Sequence, residues 1–348
     1  MEEDKYYIET HNPLLNVSRN LGFCHTLIYD YINKKCTFKS THHLMNDVMN
    51  IYLTIYSREL LKDNVLNDIL NEIKNIHEYL IICYSVKKHI PFILDLYLSP
   101  FKKTLNYFNV NKKLDSNIKS TINEQIKQGT LIYNVQNFNN PLDYLHINSG
   151  STTKNELPYM TPIIKIWREE EWKKILMHEL IHLYDLEKGE SFTIKFGIVS
   201  NNFKGVEKEL YTELQTWFLY IMYYNCDLNN EIEHSIDNVC KILKKYDIND
   251  INIFTNNDSI VSVNHSSYII NVSSSVLYYY IIKGILLYRV DLILDLLDPT
   301  IKKSYKNGEI ENIYNNIVND KKFIEYMNDK LKVTKTPEYK CNFTAMSS

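Results

Sequence analysis

Apolar residues recur at helical spacing through 40–62 and 64–88, which predicts a mainly helical N-terminal lobe over residues 1–128. Its last part, 105–128, is a polar Asn/Lys-rich connector that retains helical potential. The pattern then changes. Residues 160–167 alternate as a short strand does, with Pro162 suiting an edge or a strand start, and 130–138, 144–148 and 192–199 are further β candidates. Between them, 168–189 opens with acidic residues, contains no internal Pro or Gly and stops at Lys188-Gly189, so it predicts a helix. A second helix is predicted over 206–225, where an almost wholly apolar C-terminal half implies burial. Helical stretches follow near 231–246, 273–297 and 309–331, separated by an Asn/Ser-rich loop at 249–272; the tail, 332–348, has no clear pattern and is expected to be loosely held. The expectation is an α+β fold, mostly helical, with a small mixed sheet beside the 168–189 helix and a principal domain over 129–331.

The 168–189 helix carries His178-Glu179-Leu180-Ile181-His182. HExxH sets two imidazoles one turn apart on one face, with a glutamate able to reach a metal-activated water without ligating the metal. With 11 His in 348 residues, the pentapeptide arises by chance in about one such chain in fifty, so the surrounding pattern must support it. It does: Trp172, Ile175, Leu176, Leu180 and Leu183 supply a buried face, leaving His178 and His182 on a shared stripe. The plain alternative makes both rings hydrogen-bonded core residues.

A catalytic zinc takes three protein ligands and keeps a fourth position for water. Within 206–225, Glu209 and Glu213 stand at i and i+4, and a carboxylate drawn into a core requires a cation. The alternative is a solvated pairing with Lys204 or Lys208.

HELIH followed by Glu213-Leu214-Gln215-Thr216 resembles the zinc site of clostridial neurotoxin light chains, which carry a Glu-Leu-Arg-Thr segment. It also resembles the mitochondrial ATP-synthase-assembly metalloproteases, whose HELIHxxD and Glu-Ile-Arg-Ala segments align with Asp185 and Glu213. Both likenesses imply Glu213 as the third ligand. Thermolysin-like and anthrax lethal factor-like enzymes, with the ligand four residues before a second acid, imply Glu209 instead; Glu213 is the first choice and Glu209 the second. The resemblance covers roughly 168–225 and implies a zincin-like, gluzincin-type metallopeptidase. The toxins' Arg-x-x-Tyr pair and the mitochondrial enzymes' cysteine-rich flanks are not evident here, so neither substrate carries over.

The chemistry implied is hydrolysis of a peptide bond in a protein or peptide substrate, with Zn2+ polarising the carbonyl, Glu179 as general base and a further donor for the oxyanion. Arg289, one of four arginines, is the candidate donor; its competing role is a salt bridge to Asp291 or Asp295. Tyr184, Tyr211 and Tyr288 are less specific candidates among 28 tyrosines, and His42-His43 reads as a helix-surface pair. A net charge of −3 with no basic stripe argues against a general nucleic-acid partner. Six cysteines without CxxC spacing and an acidic N-terminus suit an intracellular protein, and charges within 78–101 and 276–297 oppose a membrane span. The alternative function is a catalytically retired zincin-like scaffold acting as a binding or structural protein. A toxin or effector with one host target differs from the leading reading only in substrate.

Overall fold

In the computed structural model, the described residues are 26–101, 104–106, 149–154, 161–187, 206–245, 248–254, 278–299, 308–335 and 340–342. The chain has a mixed α+β architecture in two compact units; of the described residues, the first takes 26–104, 149–154 and 161–186, and the second takes 105–106 and those from 187 onward. The expected strands at 130–138, 144–148 and 192–199 lie outside the described residues.

The first unit begins with α1 (Thr26–Lys35), β1 (Phe38–Asn46) and β2 (Met49–Ser57). Helix was expected over 40–62, and the structure corrects this: β1 and β2 pair antiparallel from Phe38↔Ser57 to Asn46↔Met49. Ile51, Leu53 and Ile55 are buried at every second position, a period-two signal that also samples helical spacing over so short a run. The side chain of Asn46 decides the turn, its Oδ1 accepting from the Val48 amide at 2.9 Å. His42 and His43 therefore lie on a strand; His43 stacks on Tyr52 with centroids 4.5 Å apart.

Helix α2 (Asp63–Tyr84) connects β2 to β3 (Phe92–Tyr97), which pairs parallel to it. β6 (Ile163–Ile166) then lies parallel to β3, and β5 (Gly150–Thr153) lies antiparallel to β6, giving the order β1-β2-β3-β6-β5. The 160–167 stretch thus contains a strand, with Pro162 just before its start, but among the described residues β5 is the edge strand on that side. One sheet face buries Ile51, Leu53, Ile55, Phe92, Leu94, Leu96, Ile164 and Ile166. α2 packs towards β2, while α3 (Trp172–Leu183) packs on β5, β6 and α2. The opposite face forms a second core of Ile28, Ile32, Cys36, Tyr56, Tyr97, Phe101 and Trp167.

The second unit contains α4 (Val206–Tyr224), α5 (Leu228–Lys245), a π-turn (Tyr278–Ile282), α6 (Lys283–Leu287), α7 (Val290–Leu297), α8 (Glu309–Val318) and α9 (Lys321–Val333). β7 (Lys340–Asn342), within the tail, pairs with β4 (Thr104–Asn106). Gly284 allows α6 close to α5: a Cβ there would overlap Val239 Cγ2 and lie 3.0 Å from the Ser235 carbonyl oxygen. No helix among the described residues is long and apolar enough to cross a membrane.

Candidate metal centre

α3 is shorter than the 168–189 pattern predicts, because tertiary hydrogen bonds occupy the backbone before it. Trp167 N donates to Ser149 O and Glu169 N to Ser99 O, both at 2.9 Å, while Ser99 Oγ donates to the Trp167 carbonyl. The chain turns through a left-handed Glu171 (φ 61°) and only then becomes helical. At the other end, Tyr184 N donates to Leu180 O and Leu186 N to Ile181 O, closing the helix through a left-handed Asp185 (φ 52°). His77 on α2, 1% exposed, holds this end: its Nε2 lies 2.8 Å from Tyr184 Oη. Lys154 pairs with Asp185.

Trp172, Ile175, Leu176, Leu180 and Leu183 are buried as the amphipathic pattern requires, and His178 and His182 are half-buried. The two Nε2 atoms are 3.1 Å apart, with ring centroids at 4.8 Å and an interplanar angle of 71°. Two neutral rings at that distance can share one Nε2–H. Two nitrogens on a tetrahedral zinc, with bonds of 2.0–2.1 Å, stand about 3.3 Å apart, so the rings fit such an ion with little movement.

Glu209 and Glu213 both lie on α4, but with different engagements. The Glu213 carboxylate accepts from Lys283 Nζ at 2.6 Å, with both side chains nearly buried. A buried carboxylate needs a cation, and an ammonium group supplies it here. Glu209, one turn earlier on the same helix, is half-buried.

Glu179 is 5% exposed, and its Oε2 accepts from Thr152 Oγ1 at 2.7 Å. The Thr152 hydroxyl also lies 3.0 Å from the Glu179 carbonyl oxygen. Gly150, two residues earlier on β5, presses against the same side chain: a Cβ there would meet Glu179 Oε1 at 2.8 Å and Ile175 Cγ2 at 2.6 Å. Reading the sequence missed both contacts; the available signal was a glycine in a short strand, which marks close approach by another group.

Arg289 precedes α7 and forms a fork with Asp291, Nε to Oδ1 at 2.9 Å and Nη2 to Oδ2 at 2.8 Å. Its guanidinium thus makes the competing salt bridge. Tyr211 Oη donates to the Leu296 carbonyl at 2.8 Å, and Tyr288 packs edge-on against Phe323. No family model, curated protein or solved structure matches the chain.

Proposed function

We propose that this protein is a zinc-dependent endopeptidase of the zincin type, acting on an extended segment of a protein or peptide. The observation carrying this reading is the imidazole pair, whose Nε2 atoms face each other at 3.1 Å on one helix with a glutamate between them. Two neutral imidazoles and one carboxylate are a ligand set typical of catalytic zinc, as opposed to the all-oxygen sets of magnesium and calcium.

His178, His182 and Glu209 would hold the ion, and zinc so held supplies the Lewis acidity that polarises an amide carbonyl and acidifies water. Glu179 follows directly after the first imidazole and is buried. Its carboxylate would take a proton from the attacking water and return it to the departing amine nitrogen. β5, the sheet edge beside α3, offers backbone groups along which a substrate strand can add. A purely structural metal site has no need of a general base beside its ligands, which favours the catalytic reading of Glu179.

The test combines metal analysis of the purified protein with hydrolysis of a mixture of quenched fluorescent peptides. The expected result is one zinc per chain and hydrolysis that is lost in Glu179→Gln while zinc remains. Undiminished hydrolysis in that variant, or a wild-type protein that takes up no divalent metal, would reject the proposal.

A further inference from the structure

We infer that Thr152 and Gly150 form a seat for the Glu179 carboxylate, making Thr152 a positioning residue for the hydrolysis; this rests on the peptidase reading above. A glutamate side chain has three rotatable torsions, whereas a general base must be held within hydrogen-bond reach of the proton it removes. The HExxH spacing sets the imidazoles through the helix itself but does not select a rotamer for the glutamate between them. β5 makes that selection.

Thr152 Oγ1 is 2.7 Å from Oε2 and 3.0 Å from the carbonyl oxygen of the same residue. The single hydroxyl proton is directed to the carboxylate at the shorter distance, while the oxygen sits against the point where the side chain leaves α3. Gly150 and Thr152, two apart on one strand, share a sheet face. Gly150 supplies the second wall: with no Cβ, its backbone approaches the carboxylate and Ile175, whereas a Cβ would stand 2.8 Å from Oε1 and 3.2 Å from Cγ. Both carboxylate oxygens thus meet β5, one through a hydrogen bond and the other through packing. The register secures the arrangement, since Gly150 pairs with Ile166 and Thr152 with Ile164 on β6, the strand that runs into α3.

The experiment compares full-length Thr152→Val, Thr152→Ser and Gly150→Ala with wild type and Glu179→Gln. Readouts are metal content, kinetics on a quenched peptide taken from the mixture, and crystal structures of the metal-free proteins. Thr152→Val keeps the side-chain shape and removes the hydroxyl; its kcat is expected to fall roughly tenfold to a hundredfold with KM and zinc content unchanged. Thr152→Ser should restore kcat to within a few-fold of wild type. The Glu179 carboxylate should leave its position in Thr152→Val and keep it in Thr152→Ser. Gly150→Ala should displace it from the other side, which keeps the seat testable if Thr152→Val fails to fold. An unmoved carboxylate in Thr152→Val or Gly150→Ala, wild-type kcat in Thr152→Val, or a Thr152→Ser as impaired as Thr152→Val would overturn the seat. If wild type hydrolyses no peptide, the peptidase reading fails, and the carboxylate positions alone decide the seat.

Discussion

Glu213→Ala should damage stability while leaving the metal ligands in place. The variant takes from Lys283, whose side chain is 7% exposed against 11% for Glu213, the carboxylate that meets it across a 2.6 Å contact. Removing one partner of a buried ion pair costs about 3–5 kcal/mol, because the surviving charge remains desolvated. With a urea dependence of roughly 2 kcal/mol/M, the unfolding midpoint in chelator should fall by about 1.5–2.5 M. Glu72→Ala is the matched control: its 3.8 Å pair with Lys173 is more exposed, 20% and 41%, and should be worth under about 1 kcal/mol. Replacing both buried partners, Glu213→Leu with Lys283→Met, should recover most of the loss. Zinc stoichiometry should survive in Glu213→Ala and disappear in Glu209→Ala. A Glu213→Ala protein with an unchanged midpoint but no zinc would refute the reasoning and return Glu213 to the coordination sphere.

Gly284→Ala forces a methyl group against Val239 and the Ser235 carbonyl, and should lower stability by about 1–3 kcal/mol; an unchanged melting temperature would show that α5 and α6 separate without cost. Two buried groups in the first unit should give opposing pH dependences. Burial lifts the Asp95 carboxyl from 3.8 to about 6, against the pull of Lys165 and Lys39, so its stabilising contribution is full below pH 3.8 and fades as pH rises through 6. Burial depresses His77 from 6.5 to about 4, with His89 adding to the effect, so its contribution is full above pH 6.5 and fades as pH falls through 4. Each is worth at most about 3 kcal/mol. In urea titrations from pH 4 to 6.5, Asp95→Asn should steepen the loss of stability towards acid relative to wild type, and His77→Gln should reduce it. Parallel profiles in all three proteins would reject both assignments.

The helical parts of the fold were legible where amphipathic runs were long. The 206–225 expectation matches α4 almost residue for residue, and 64–88 matches α2, because buried stripes such as Leu66, Ile69, Ile73, Ile76 and Leu80 repeat over several turns. The 40–62 stretch misled because nine-residue strands give too few positions to separate a period of two from 3.6. The start of α3 misled because Ser99 and Ser149, distant in sequence, claim the backbone of 167–169.

At the candidate site, the sequence by itself determined whatever lies within one turn of one helix: the imidazole pair, the acid between them and the apolar face that turns them outward. Helical geometry is local, so spacing alone sets it. Tertiary structure decided the contacts made across long sequence separations. Lys283 engages Glu213 from 70 residues away, and Thr152 grips Glu179 from a strand 27 residues earlier. A buried carboxylate's need for a partner can be read from a pattern, but which partner reaches it depends on how the intervening chain folds.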